Sequence, residues 1–308
     1  MSSPLRVVQA ASVAARTHDT PLWLVDELWG EGAVGVIGGQ PKCGKTWLAL
    51  ELAVAVASGQ PCLGRFHVPR AGVVLVYAAE DPPEQIRERL QQLAQARQAN
   101  FHTLDVRLIL EPALRLDRPE YLHRLRLTLE QHQPRLLILD PYVRLQRADE
   151  NDATQVSSIL AALRELSRAF RVAIALVHHA RKNASDHPGQ SLRGSSDFHA
   201  WGDSNLYLHR RRNLLLLTRE HRFAPAGPTL ALALSGQTPV RLQLVQENRA
   251  VETPLAQRIL DELAARPQSQ LQLRTLLRVR NQNLGETLRK LEAQRQITRR
   301  QDRWALAP

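Results

Sequence analysis

The stretch GGQPKCGKTWLAL, residues 38–50, sets glycines, a lysine and a threonine immediately ahead of an apolar run. Gly39, Gly44, Lys45 and Thr46 satisfy G-x-x-x-x-G-K-[ST]. At that spacing successive backbone N–H groups can surround one anion, the lysine can reach it, and the positive end of the following helix points the same way. Upstream, GAVGVIGG (32–39) reads as a short buried strand, and downstream TWLALELAVAVASG (46–59) repeats apolar residues at helical spacing and stops at Gly59. Strand, glycine-rich loop and helix in that order make phosphate the expected guest. Residues Gly39, Gln40, Pro41, Lys42, Cys43, Gly44, Lys45, Thr46 and Trp47 become the candidate nucleotide-binding loop.

The chain around this loop alternates between two patterns. Apolar runs at AGVVLVYAAED (71–81), LDVRLIL (104–110), PRLLILDP (134–141) and VAIALVHHA (172–180) predict buried strands. Between them, PPEQIRERLQQLAQARQ (82–98), PEYLHRLRLTLEQHQ (119–133) and ATQVSSILAALRELSRAF (153–170) have helical periodicity. A mostly parallel sheet in an α/β domain follows. SNLYLHR, NLLLLTRE and TLALALS add strands that close the unit, after a polar loop RKNASDHPGQSLRGSSD (181–197). The expected first domain is 1–248, with VQENRAVETP (245–254) as linker. Residues 249–308 then read as three short amphipathic helices and a terminal ribbon, the order of a winged helix-turn-helix.

The whole chain bounds the reading. Its 308 residues leave room for two domains, and 41 basic against 30 acidic residues favour polyanionic partners, nucleic acid first. Cys43 and Cys62 are too few for a disulfide framework or a zinc site of their own. A spanning helix needs roughly 18–20 apolar residues in a row. No run reaches that length and the first residues lack a signal pattern, so a soluble, cytoplasmic protein without a membrane partner is expected.

A nucleotide on the loop needs a metal ion and a base. Asp140 ends the run LLILD, where a parallel sheet presents it beside the loop, and with the Thr46 hydroxyl it is the candidate ligand for Mg²⁺. Glu80 ends the preceding strand and is the candidate base for water, with Asp81 expected to cap the next helix. His178 and His179 could report a γ-phosphate to the following loop.

GGQPKCGKTWLALELA, VLVYAAEDPPEQIRERL, LLILDPYVRLQRADENDA, LVHHARK and LRGSSDFHAWGDSNLYL together resemble the RepA-like, AAA_25-type ATPases of the RecA/DnaB hexameric helicase superfamily. The resemblance covers about residues 20–235. It implies a RecA-like fold, ATP with Mg²⁺ as cofactors, and a ring, six-membered in those relatives. It matches Lys45 and Thr46 to the loop lysine and hydroxyl, Glu80 to the catalytic glutamate, Asp140 to the metal-site aspartate, and His178 and His179 to the sensor pair. In TREHRFAPAGP (218–228) it implies a basic finger directed at a neighbour's γ-phosphate, either Arg219 or, preferred, Arg222; Glu220 stands where DnaB-like members keep lysine. The loop carrying Arg181, Lys182 and Arg193 resembles the channel loop that contacts single-stranded DNA.

In the C-terminal region, 11 Arg or Lys against 6 Asp or Glu lie within 251–308. Leu284, Leu288 and Leu291 are expected to face a core, leaving Asn281, Gln282, Asn283, Arg289 and Lys290 outside to meet duplex DNA, with Arg299, Arg300 and Arg303 holding phosphates. Protein contact is the other use of such a module. The expected function is a DNA-acting helicase or translocase in replication or mobile-element maintenance; the alternative is an ATP-switched DNA-binding regulator or loader that unwinds nothing.

Overall fold

The structure, a computed structural model, describes residues 7–13, 22–146, 153–179, 195–211, 214–235, 238–245, 255–277, 279, 281–300 and 302–307. The chain divides into two compact units, 1–245 and 246–308. The expected boundary after residue 248 lies outside the described residues.

The first unit opens with a small hairpin, β1 (Trp23–Val25) and β2 (Trp29–Gly30), followed by β3 (Val34–Gly39) and α1 (Lys45–Ser58). Strands and helices then alternate: β4 (Val74–Ala78), α2 (Pro83–Ala96), β5 (Val106–Leu108), α3 (Pro119–His132), β6 (Leu136–Asp140), α4 (Ala153–Phe170), β7 (Ala173–His179), α5 (Ser195–Trp201) and β8 (Ser204–Arg211). The unit ends in β9 (Leu214–His221), β10 (Leu230–Leu234) and β11 (Leu242–Leu244). One nine-stranded sheet results, ordered β11-β10-β9-β8-β3-β7-β6-β4-β5. The strands from β8 across to β5 run parallel, and β9 to β11 extend the sheet antiparallel.

Each parallel strand is apolar on both faces because helices cover both. Ala173, Ala175 and Val177 of β7 pack with Leu48, Leu52, Ile86 and Leu90 of α1 and α2. Ile174 and Leu176, alternate residues of the same strand, pack with Leu129, Leu163, Phe198 and Trp201 of α3, α4 and α5. Two elements escape the periodicity. β11 spans only three residues, and α5 is a seven-residue segment of modest helix formers fixed by burying Phe198 and Trp201. Segments this short carry too few repeats for either period to register.

The second unit holds α6 (Leu255–Ala265), α7 (Gln270–Leu277), α8 (Asn281–Ala293) and a hairpin of β12 (Ile297–Arg300) with β13 (Arg303–Leu306). Leu284, Leu288 and Leu291 form the inner face of α8 and meet Ile259, Leu263, Leu273, Leu277, Ile297 and Trp304 in one core. Gln268 pairs with Trp304 through two backbone bonds, 2.8 and 3.0 Å, which fix the hairpin to the segment before α7. Among the described residues no helix is long and apolar enough to cross a membrane.

Candidate nucleotide site

β3 ends in the glycine-rich loop, and the sheet fixes what surrounds it. Gly39 lies between His179 of β7 and Leu208 of β8 in register. A side chain at Gly39 would collide with the Leu208 carbonyl, and the loop closes into α1 at Gly44, where φ is +91°. Glycine meets both demands without strain. The Lys45 side chain folds back over the loop, its Nζ donating to the carbonyls of Gly39 (3.0 Å) and Gln40 (2.8 Å). Burial pulls its pKa below the ordinary lysine value, opposed by Cys43 and by the carboxylates of Asp140 and Glu80.

Next to it, Thr46 Oγ1 donates to Asp140 Oδ2 at 2.7 Å. Burial pushes the Asp140 pKa up to about 6, offset by the Thr46 bond and Lys45 and reinforced by Asp81 and Glu80. A desolvated carboxylate with two more nearby is a place where a cation relieves repulsion. Among the described residues no cluster of three or more His, Cys, Asp or Glu is arranged to hold a metal by itself. That fits Mg²⁺, which is typically bound through one or two protein oxygens and completed by phosphates and water.

Glu80 and Asp81 part company after β4. Asp81 does not cap α2, whose N-terminus lacks a side-chain cap. It instead takes a bidentate bond from Arg89, 2.6 and 3.3 Å, and Arg89 also lies over the Trp47 ring at 5.5 Å. Glu80 Oε1 accepts from Arg144 Nε at 3.0 Å. Cys43 is buried, and burial raises its thiol pKa, so it is an unreactive small residue of the loop.

The structure separates the histidine pair. His178 is fully buried on the α5 face, stacked on Phe198 with ring centroids 4.3 Å apart and edge-on to Tyr142 at 5.7 Å. Strand alternation leaves only His179 on the α1 face, beside Gly39. The sensor expectation for His178 is therefore corrected: a ring sandwiched in that core cannot reach a phosphate on the other face.

Arg219 is corrected too. It is 1% exposed, its Nη1 bonded to Glu27 Oε2 at 2.8 Å and its guanidinium over Phe66, so it is not available to a neighbour. Arg222 is exposed, with Asp203 Oδ1 at 3.5 Å and the Ala200 carbonyl as partners. Its backbone N–H bonds Asp203, which in turn bonds Val34 at the start of β3. Arg222 thus lies about five residues, roughly 16 Å of strand, from the Gly39 end, and can serve only another subunit's site.

Arg181, Lys182 and Arg193 lie outside the described residues. On α8, Asn281, Gln282, Asn283, Arg289 and Lys290 are exposed as expected. Asn281 accepts from Gln270, Gln282 donates to Glu286, and Arg299 is paired with Asp302 while lying over Trp304. Arg300 and Arg303 face each other in the hairpin register.

Three arginines near the site escaped the sequence reading. Arg144 and Arg89 have no motif of their own. Arg210 is exposed at the Gly39 end of β8 and close enough to Cys43 to favour its thiolate, which becomes legible only once Gly39 is known to pair with Leu208.

A helix-covered parallel sheet whose first crossover is G-x-x-x-x-G-K-T, with a neighbouring strand ending in the aspartate bonded to that threonine, defines a RecA-like P-loop ATPase fold. The chain belongs to the AAA_25 family, an AAA domain, whose model matches residues 2–185. Among solved structures it is similar to an isolated ATPase domain, at 18% identity and a TM-score of 0.55, over 70% of this chain and 86% of that one. It is also similar to a DnaB-like replicative helicase described with its interactions with primase, at 17% identity and a TM-score of 0.52. There the match covers 70% of this chain and 57% of the helicase, so the chain spans little more than half of that protein. At these identities the likeness is one of fold.

Proposed function

We propose that the protein is a Mg²⁺-dependent ATPase that acts on DNA as a ring-forming, RepA-like helicase or translocase, hexameric by analogy with its superfamily. One observation carries the reading: Thr46 bonded to Asp140, with Lys45 folded into the loop beside them and Glu80 at the end of the next strand.

In this reading the loop amides bind the β-phosphate and Lys45 leaves its two carbonyls to meet the β- and γ-oxygens. Mg²⁺, held by Thr46 and Asp140, neutralises charge on the same oxygens. Glu80 accepts a proton from water as that water attacks the γ-phosphorus in line and ADP leaves. His179, beside Gly39, is the residue placed to report the γ-phosphate.

Arg222, far from its own loop, is assigned to the site of a neighbouring subunit, where a cation stabilises charge in the transition state. Arg222→Ala should bind ATP and turn over slowly, and mixing it with Lys45→Ala should restore activity. That recovery requires wild-type loop and wild-type finger to meet across an interface.

The second unit is assigned as a winged helix on duplex DNA, supported by the exposed Asn281, Gln282, Asn283, Arg289 and Lys290 on α8 and by Arg299, Arg300 and Arg303 on the hairpin. The loop bearing Arg181, Lys182 and Arg193 is assigned to single-stranded DNA in the ring's channel.

A forked-duplex strand-displacement assay tests the function: displacement with ATP and none with Lys45→Ala supports a motor. ATP-dependent duplex binding without displacement would identify an ATP-switched regulator or loader instead.

A further inference from the structure

The carboxylate proposed as base is itself held. Asp81, its neighbour, is occupied by Arg89, whereas Glu80 receives one side-chain bond, Arg144 Nε to Oε1 at 3.0 Å. Glu80 Oε2 takes no hydrogen bond from a protein side chain among the described residues. Arg144 belongs to the single turn Tyr142–Leu145 that follows Asp140 and Pro141, so one short segment links the metal-site aspartate to the glutamate.

That turn is rigidly seated. Tyr142 and Leu145 are fully buried; Tyr142 lies edge-on to His178 and Phe198 and donates to Gln146 Oε1 at 3.1 Å. Leu116 donates its backbone N–H to the Leu145 carbonyl at 2.7 Å, and Arg115 Nη1 bonds the Gln146 carbonyl at 2.6 Å. The Arg144 backbone is therefore fixed while its guanidinium projects over Glu80. The pair is half open to solvent, with side chains 60% and 43% exposed. A pair so exposed contributes little to stability, so its consequence is orientation.

We infer that Arg144 is a positioning residue: a one-armed bond through Nε fixes one oxygen of Glu80 and leaves the other to face the reacting water. This rests on the reading of Glu80 as the base. A mobile carboxylate would spend less time in the attacking geometry, and small misplacements of reacting groups cost large factors in rate.

A double-mutant cycle on the full chain tests it, reading single-turnover ATP cleavage, binding of a fluorescent ATP analogue, and melting temperature. Arg144→Ala should slow cleavage about tenfold with analogue affinity and melting temperature unchanged, and Arg144→Lys should recover part of the loss. In a Glu80→Gln background, Arg144→Ala should cost nothing further. Additive losses would overturn the inference by showing that Arg144 acts independently of Glu80, and a wild-type rate for Arg144→Ala beside a slow Glu80→Gln would overturn it while leaving the base in place. A wild-type rate for Glu80→Gln would instead remove the base assignment, and this role with it.

Discussion

At the end of β7 two regions of one sheet meet back to back. On the α1 face Lys45 and Asp140 are buried with strained ionisation, each pKa moved by desolvation. On the α5 face His178, Phe198 and Tyr142 are buried as a stack of rings. Both regions exclude water equally well. Burial that leaves charges at a cost prepares a place for a charged ligand, whereas burial that satisfies ring faces builds a joint between strands and a helix. The adjacent histidines divide along this line.

The largest expected effect on the α1 face comes from Asp140→Asn. Turnover should fall at least a hundredfold, the scale of losing a principal electrostatic group, yet the nucleotide-free protein should become more stable at pH 7.5. Asp140 titrates near 6 when folded against 3.8 ordinarily, so the native state binds its proton more tightly than the unfolded chain does. Stability is therefore full below about pH 4, falls as pH rises through 4 to 6, and stays lowered above. At 1.36 kcal/mol per pKa unit the penalty is on the order of 3 kcal/mol. Asparagine can still accept the Thr46 bond and carries no charge, so thermal melts should show a gain at pH 7.5 that vanishes near pH 4. A lower melting temperature at pH 7.5 would mean that Asp140 is already compensated and that the contrast between faces is misdrawn.

The same titration sets an acid limb. The kcat/KM for ATP should fall as pH drops through about 6, because protonated Asp140 cannot hold a cation. A profile flat down to pH 5 would count against it.

The two histidines give a smaller and opposite pair of effects. His179→Ala should slow turnover about tenfold with little change in melting temperature. His178→Ala should cost about 2–3 kcal/mol of stability through the lost ring contacts, with basal turnover changed less than threefold, and His178→Phe should restore most of that stability. A His178→Ala protein that melts normally but has lost turnover would return His178 to the nucleotide.

Much of the α1 side was legible in sequence because its chemistry is tied to local spacing. Gly39, Gly44, Lys45 and Thr46 belong to one loop, and Glu80 and Asp140 each end an apolar strand, where a parallel sheet must bring them together. The fate of His178 and Arg219 was written in a weaker signal. Ile174, Leu176 and His178 share one face of β7, and Leu215, Leu217 and Arg219 share the buried face of β9. Period-two alternation placed both polar residues inward, but an expectation of function outweighed it. Arg144 was illegible for another reason: its partner is 64 residues away in sequence, and only the pairing of β4 with β6 brings the two strand ends side by side. In the second unit the three-leucine face of α8 fixed its core, while base or phosphate contacts leave no comparable pattern in the chain.

The central claim is that one loop, one aspartate and one glutamate form a single hydrolytic ATP site. Its most direct test is to bind γ-labelled ATP and Mg²⁺ to Glu80→Gln and follow the label. The account predicts tight binding with the nucleotide intact for many wild-type turnover times, since an amide cannot take the proton of the attacking water. Release of labelled phosphate at the wild-type rate would contradict it.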